Sequence, residues 1–172
     1  MKKTIILSAL LLLFGIAVMA GNDPVKNNSR EIAILPFTKL SVSANVTVIL
    51  YESPSITSVV VKGKENYARK IAVLQKGSKL LITSKTNDDL KEKVTVYIPV
   101  YKLRSLEVIN DPVIKSQTIL DCPDLEVEAD GLCEIHLIVN GNVNIKDGAN
   151  YTSIRRIKPE HAAMRLSMPV FY

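Results

Sequence analysis

The tetrapeptide SLEV at residues 105–108 returns as DLEV at residues 124–127 and, more loosely, as NVNI at residues 142–145. The equivalent positions Leu106, Leu125 and Val143 recur at a nearly constant step of about 19 residues. A repeat of this length is typical of stacked structural units, each of which buries its apolar residues against the next. The step predicts a short right-handed parallel β-solenoid with these three residues in one column.

Apolar and polar residues alternate within the repeats, as expected for strands with one buried face. The outward residues Glu107, Glu126 and Asn144 should therefore form a second column. The predicted core positions of this part of the chain are Leu103, Leu106, Val108, Ile114, Leu120, Leu125, Val127, Cys133, Ile135, Leu137, Val139, Val143, Ile145 and Ile154.

Residues 31–100 show a period of two rather than this long step. Apolar residues occupy alternate positions of 42–50 and again of 94–100, and turn-forming residues separate the apolar runs. Residues 66–70 are long enough for one helical turn only. The predicted fold class is all-β, with an antiparallel half over 31–100 that continues into the solenoid over 101–157.

The first twenty residues have the order of a secretory signal peptide. Lys2 and Lys3 precede an almost continuous apolar run from Thr4 to Val18, and Ala20 occupies the cleavage position. The alternative is a transmembrane anchor, for which the run is somewhat short and no positive flank follows. We therefore expect a signal peptide at 1–20, a linker at 21–30, a β domain at 31–157 and an atypical tail at 158–172, in a protein exported to the periplasm or cell surface.

The net charge of +5 does not belong to the predicted domain. The signal peptide contributes +2 through Lys2 and Lys3, and residues 151–172 contribute +3, so residues 21–150 are neutral, with 16 basic and 16 acidic residues. A basic groove for nucleic acid is unsupported, because such binding requires a concentration of positive charge on the domain itself.

The order and spacing of five segments resemble the head GIN domain family of auto-transporter adhesins from Bacteroidetes, over about residues 31–150. The resemblance implies an exported bacterial protein with a β-strand N-terminal half and a β-solenoid C-terminal half. Members of that family continue for several more repeats, so we expect a C-terminally shortened member. The five segments are SVSANVTV (41–48), VVVKGKEN (59–66), GSKLLI (77–82), VTVYIP (94–99) and LRSLEV (103–108).

The sequence contains no recognisable catalytic constellation or cofactor motif. His136 alternates with Ile135 and Leu137, so it is predicted to be an exposed strand residue, and His161 stands in an unrelated context. Cys122, Cys133 and His136 make only a weak metal-binding trio, because zinc sites usually show three or four ligands at recognisable spacing. We expect a protein that is not an enzyme and has no cofactor.

Cys122 and Cys133 form an even pair in a chain predicted to be exported, where a disulfide is permitted. Cys133 is in phase with Ile135 and Leu137, which indicates an inward, packed thiol. Two interpretations remain open, a disulfide that closes a small loop, and two free cysteines packed as small apolar residues.

Residues 107–134 hold eight acidic residues and one basic residue, Lys115. A column of like charges is destabilising unless a cation or a basic partner offsets it, and calcium is the natural cation outside the cytoplasm. The alternative is a solvated solenoid face whose charges discourage aggregation. The candidate acidic ladder consists of Glu107, Glu126, Glu128 and Asp130.

Three functional classes follow from these patterns. The leading one is a non-enzymatic envelope or surface protein, adhesin-like, that binds a glycan or another envelope protein through its β surface. The others are a polysaccharide-acting β-helix enzyme, which the acidic cluster would serve, and a degenerate structural module.

The last predicted repeat leaves an open edge that must be covered. We expect the tail to fold over it, with a short helix at 159–166 and with Met164, Leu166 and Phe171 facing the core. The alternative is a disordered tail and self-association through the open solenoid end.

Overall fold

The computed structural model describes residues 27–85, 93–147 and 153–157, and this part of the chain is nearly all β. Its one helix is a single turn, α1 (Glu65–Ala68), close to the predicted position. The first strand begins within the stretch predicted to be a linker. The strands are β1 (Asn27–Ala33), β2 (Lys39–Val42), β3 (Thr47–Glu52), β4 (Ser58–Lys64), β5 (Ile71–Lys76), β6 (Lys79–Ser84), β7 (Thr95–Val100), β8 (Ser105–Ile109), β9 (Val113–Ser116), β10 (Leu120–Asp130), β11 (Glu134–Asp147) and β12 (Ser153–Ile157).

The twelve strands form one mixed sheet in the order β1-β4-β7-β3-β9-β11-β10-β8-β2-β6-β5, with β12 also paired to β11. Eight of the eleven pairings in the described residues are parallel. The long strand β11 joins two halves of the sheet. Its residues 134–138 lie between β9 and β12, whereas residues 142–147 pair with β10.

The two halves of the sheet stack in layers, each of which contains one strand from either half. Within each layer the chain crosses from one half to the other, from β6 to β7, β2 to β3, β8 to β9 and β10 to β11. The layer formed by β2 and β3 lies between the β6–β7 layer and the β8–β9 layer, although it comes first in the sequence. The prediction of an antiparallel half over 31–100 is therefore wrong for β2 and β3. Within the part of the chain that the structure describes, antiparallel pairing is confined to β1–β4, β4–β7 and β5–β6. Alternating burial could not reveal this, because parallel and antiparallel strands bury the same alternate positions.

Buried residues stack in columns across the layers. Leu80, Leu40, Leu106, Val127 and Ile145 are in register, and the first four are buried while Ile145 is 43% exposed. The predicted core positions of residues 101–157 are otherwise buried, except Val143, which is half-buried, and Ile154, whose side chain lies outside the described part. Each fully buried Leu, Ile or Val contributes roughly 1.5–3 kcal/mol to folding.

The predicted column of Leu106, Leu125 and Val143 is correct only in its second half. Leu125 pairs with Val143, but Leu106 pairs with Val127, two residues beyond Leu125. Relative to the next layer, the chain has two extra residues within the stretch 117–119, which forms the corner between β9 and β10. The corresponding part of β11 is continuous. A shift of two residues keeps Leu106 on the buried face, so the alternation survives the error in register.

The corners between the two halves of the sheet are tied to one another. Asn110 has a left-handed backbone with φ 70°. Its backbone N–H donates to the Asp130 carbonyl at 2.9 Å, and its side-chain amide donates to the Ser43 carbonyl at 3.2 Å. Gly131, in the next layer, has φ 110°, and a β-carbon there would lie 2.5 Å from the Asn110 carbonyl oxygen. Glycine is thus required where the corners approach most closely.

The two ends of the stack differ. At one end, the antiparallel strands β4 and β5 cover the layer of β6 and β7, and the Arg30 guanidinium donates to the Ile71 carbonyl at 2.5 Å. At the other end lie β12 and residues 142–147 of β11. No helix in residues 27–85, 93–147 or 153–157 combines the length and hydrophobicity required to cross a bilayer.

Candidate functional site

The acidic residues predicted as a ladder lie on the outer surface of β6, β2, β8, β10 and β11, which we call the charged face. Its strands bring two columns of residues into register. Glu107 therefore stands beside Glu128, and the predicted column of Glu107, Glu126 and Asn144 is correct only for its last two members. The first column is Lys79, Lys39, Ser105, Glu126 and Asn144, and the second is Leu81, Ser41, Glu107, Glu128 and Lys146.

Lysines from other layers compensate the carboxylates of the charged face. The Lys79 ammonium lies 2.7 Å from Glu107, and hydrogen bonds from Lys79 and Ser41 lower the pKa of Glu107 below its ordinary value. Glu126 pairs with Lys146, which lowers the pKa of Glu126 and raises that of Lys146. Among the described residues, no group of three or more His, Cys, Asp or Glu side chains is arranged to hold a metal ion. Two of the four residues of the predicted ladder, Glu107 and Glu126, are thus in salt bridges with lysines.

A shallow depression of roughly 390 Å³ lies at one edge of the charged face. Its lining includes Arg104, Asp124, Glu126 and Asn142. The Asn142 side-chain amide donates to Asp124 at 3.2 Å, and Glu126 is bound to Lys146. These polar groups of the depression therefore already have protein partners.

Cys122 and Cys133 are both buried, and no disulfide joins them in the structure. Cys122 lies near the start of β10, and Cys133 lies beyond its end. The extended segment from Asp124 to Asp130 alone spans roughly 20 Å at about 3.3 Å per residue. Disulfide-bonded cysteines have Cα atoms within about 7 Å, a separation that this extended strand prevents. Burial raises the pKa of Cys122 to about 11.

Glu52 is an acidic residue whose pKa is raised, chiefly because it is partly buried. It accepts a hydrogen bond from the Asp121 amide at 3.1 Å, and its own amide donates to the Thr118 hydroxyl at 2.7 Å. These bonds join the end of β3 to the start of β10. Glu52 thus stabilises the corner at which the chain enters β10 through two hydrogen bonds.

The opposite outer surface, formed by β4, β7, β3, β9 and β11, has a different chemistry, and we call it the tyrosine face. Its central row crosses five neighbouring strands in register. The three apolar or aromatic members of this row are half-buried. The members of the row on these five strands are Val60, Tyr97, Ile49, Lys115 and His136, and the register continues to Glu31 of β1 and Arg155 of β12.

Two further rows flank the centre of the tyrosine face. On one side Tyr51 pairs with Pro99, and on the other Thr47 pairs with Thr95. The Lys62 ammonium lies 4.8 Å from the centre of the Tyr97 ring, within the range of a cation–π interaction. The rows of Ile49 and Thr47 cross five strands and the row of Tyr51 crosses two, so together they cover roughly 300 Å², from a strand spacing of about 4.8 Å and a rise of about 3.3 Å per residue. This surface is a flat strip with aromatic rings, hydroxyls and cationic groups at its border.

His136 lies at the border of the tyrosine face, turned away from the buried Ile135 and Leu137 as predicted. It pairs with Glu134 on the same strand, and this interaction lowers the pKa of Glu134. His161 lies outside the described residues.

The sequence patterns do not predict the tyrosine face. Tyr51 and Tyr97 occupy outward positions of their strands, and this was the available signal. Their proximity depends on the parallel pairing of β3 with β7, which are distant in the sequence and meet at Thr47 and Thr95. The predicted antiparallel arrangement of residues 31–100 does not place Tyr51 and Tyr97 next to each other.

Comparison with known proteins gives a family and a fold. The family model described as "Putative auto-transporter adhesin, head GIN domain" matches residues 36–154. A search among curated proteins returns no significant match.

Solved structures of similar fold include proteins of Bacteroides and Parabacteroides species. A "putative adhesin" of Bacteroides fragilis is 14% identical with a TM-score of 0.52, and the match covers 78% of this chain and 69% of that one. A "putative adhesin" of Parabacteroides merdae is 14% identical with a TM-score of 0.56, over 70% of this chain and 52% of that one. A "putative lipid binding protein" of Parabacteroides distasonis is 15% identical with a TM-score of 0.55, over 77% and 66%. At these identities the likeness establishes a shared fold, and this chain spans about half the length of the Parabacteroides merdae protein.

Proposed function

We propose that this chain, which belongs to the head GIN domain family, is an exported, non-enzymatic protein of the bacterial cell envelope or surface that binds a glycan through its tyrosine face. The observation that carries the proposal is the row of Val60, Tyr97 and Ile49 beside Tyr51 on the outer surface of the sheet. Export rests on the signal-like residues 1–20, which lie outside the described part of the chain.

A sugar chain suits the chemistry of this face. Sugar rings present apolar C–H surfaces that pack against tyrosine rings, and their hydroxyls can bond Thr47, Thr95 and the tyrosine hydroxyls. The five-residue row is roughly 19 Å long, from a strand spacing of about 4.8 Å, which suits a short stretch of extended oligosaccharide. The Lys62 ammonium beside Tyr97 adds a donor for a sugar hydroxyl or carboxylate.

The size of the tyrosine face argues against a stable protein partner as its main occupant. A stable protein–protein interface buries about 800 Å² on each partner, well above the roughly 300 Å² of this strip. An exposed apolar patch of a few hundred Å² is nevertheless often functional.

The parallel layers supply the rigid platform for this face. We propose that they form a short right-handed β-solenoid, because each passage from one half of the sheet to the other returns to a parallel strand, and such connections are overwhelmingly right-handed. The outward residues of every layer are then fixed at the strand spacing. Rigid, preorganised side chains lose little entropy on binding.

Glycan binding can be tested with an array of bacterial and host polysaccharides, followed by calorimetry on the best ligand. Tyr97→Ala should lose at least tenfold in affinity, whereas Tyr101→Ala should bind as the wild type does. Tyr101 is a matched control because it is 40% exposed, lies outside the face, and has Lys102 5.1 Å from its ring. Thermal unfolding would establish that both variants are folded.

Three outcomes would contradict the proposal. One is an array without a ligand, and another is equal binding by Tyr97→Ala and the wild type. The third is binding that Arg104→Ala abolishes and Tyr97→Ala preserves, because this would place the ligand in the depression of the charged face. An assay for released reducing ends on the bound glycan would test the enzyme alternative, for which we expect no turnover.

A further inference from the structure

At the end of the stack opposite to the predicted tail, which lies outside the described residues, strand β1 carries a charge at an inward position. Arg30 pairs with Val61 and continues a column of buried residues that crosses the sheet, while Ile32 on the same face of β1 packs against the core. The buried members of this column are Val61, Val96, Val48, Ile114 and Ile135. An arginine in such a column breaks the apolar pattern, and departures of this kind concentrate at functional sites.

The guanidinium of Arg30 is only partly satisfied. Of its five N–H donors, one on Nη2 donates to the Ile71 carbonyl at 2.5 Å, whereas Nε is buried and has no hydrogen-bond partner in the described part of the chain. No carboxylate among the described residues forms a salt bridge with Arg30. A half-buried guanidinium without an anion is costly, because the hydration that its charge loses is not replaced.

A pocket of roughly 210 Å³ lies beside Arg30, between β1 and α1. The buried Ala68 gives it an apolar wall, and Arg69, the more exposed of its two arginines, pairs with Glu65 one turn earlier. Two arginines and one glutamate give the walls a net charge of +1. The lining residues are Ser29, Arg30, Glu65, Ala68 and Arg69.

We propose that this pocket binds the carboxylate of a small organic acid, with Arg30 as its principal ligand. The planar guanidinium matches a carboxylate through two parallel hydrogen bonds, which give Nε the acceptor that it lacks. Arg69 supplies a second positive charge, and the Ser29 hydroxyl supplies a neutral donor. One monoanion balances the net charge of the walls, whereas a phosphate dianion would place excess negative charge beside Glu65. The pocket is smaller than drug-sized sites, which suits an acid the size of a single sugar.

A titration with sodium glucuronate tests the site directly. In proton–nitrogen correlation spectra recorded at constant ionic strength, the Nε–H resonance of Arg30 should move and saturate. Acetate, which carries the carboxylate alone, should move the same resonance. Methyl glucoside is the neutral counterpart of glucuronate and should leave it in place, and inorganic phosphate should bind several-fold more weakly than glucuronate.

Two variants compare the guanidinium of Arg30 with a matched control, with binding followed through the backbone amides of Ala68 and Arg69. Arg30→Met should lose about tenfold or more in affinity for glucuronate, because no fork remains for the carboxylate. It should unfold no earlier than the ligand-free wild type, since an unpaired half-buried charge is removed. Arg104→Met removes an exposed arginine elsewhere and should bind as the wild type does. Saturating glucuronate should raise the Tm of the wild type and of Arg104→Met, and leave that of Arg30→Met unchanged.

Four outcomes would overturn the proposal. Equal binding by Arg30→Met and the wild type would exclude the guanidinium as the ligand, and tighter binding of phosphate than of glucuronate would exclude a carboxylate site. Shifts confined to Tyr97 and Ile49 would place the acid on the tyrosine face. A wild type that ignores glucuronate, together with a large loss of Tm in Arg30→Met, would mean that Arg30 serves only to hold the Ile71 carbonyl.

Discussion

Gly141 lies directly against the backbone of Cys122, so that a β-carbon at Gly141 would come within 2.1 Å of the Cys122 carbonyl oxygen. Here β10 has one residue more than β11, because Asp121 pairs with Asn140 whereas Asp124 pairs with Asn142. Gly141 takes up the difference with φ 134°, a conformation that residues with a side chain rarely adopt. The close contact therefore lies at the point where the register between β10 and β11 changes.

Gly141→Ala should destabilise the protein severely, by about 3 kcal/mol or more, because the new methyl group meets fixed backbone and the conformation is strained. Gly77→Ala is the matched control, since Gly77 also has a positive φ of 56° but a β-carbon there meets nothing within 4 Å. It should cost about 1 kcal/mol. Urea denaturation of the two variants would compare them, and equal midpoints would show that the contact at Gly141 can relax.

The sequence predicts the faces of the strands better than their neighbours. The alternation of Leu106, Leu125 and Val127 correctly places all three residues in the core, because burial depends on local periodicity. The step between repeats also correctly predicts that Leu125 lies beside Val143. These features are local or involve consecutive layers.

The remaining features depend on pairings that no local pattern encodes. Val48 lies beside Ile114, which comes much later in the chain, because the layer of β2 and β3 is inserted between later layers. The same long-range pairings bring Lys79 to Glu107, so the acidic cluster could not be seen to be compensated from its own segment. They also bring Tyr51 and Tyr97 to the same face. Contacts of this kind require the register of the whole sheet.

Leu125→Asp should destabilise the protein by about 4 kcal/mol or more, because Leu125 is 1% exposed and an unpaired carboxylate would be buried among the layers. Glu126→Ala, one residue later, should change the free energy of unfolding by no more than about 0.5 kcal/mol, because Glu126 faces outward and its pair with Lys146 is solvated. Equal shifts in the denaturant midpoint would mean that the two faces of β10 are assigned wrongly.

Glu107 and Glu52 should give pH dependences of opposite sign. The pKa of Glu107 is below its ordinary value of 4.5 in the folded state, so its stabilising effect is present above pH 4.5 and disappears as the pH falls through the folded pKa. Glu107→Gln should therefore be less stable than the wild type at pH 7, and the difference should vanish in acid. Chemical denaturation between pH 3 and pH 7 would measure it.

Glu52 serves as the counterpart in the same titration. Its folded pKa is raised, so the folded state favours the protonated form, and that contribution is lost as the pH rises through the folded pKa. Glu52→Gln should then be more stable than the wild type at pH 7, since the amide oxygen can still accept from Asp121. This gain should disappear below pH 4.5. A loss of stability at neutral pH would indicate that the charge of Glu52 is itself stabilising.

Native Cys122 should resist alkylation. With its pKa raised to about 11, only roughly 0.1% of the thiol is ionised at pH 8, compared with roughly 10% at its ordinary value of 9.0. Burial restricts access further, so the reaction with a thiol reagent should proceed only as fast as the protein opens. A Cys133→Ala variant isolates Cys122, and guanidinium should release its full reactivity.

In the unfolded wild type without reductant we expect two reactive thiols, because β10 holds the two cysteines at opposite ends. Recovery of two thiols only after reduction would show that a disulfide forms and that the chain can bring these corners together.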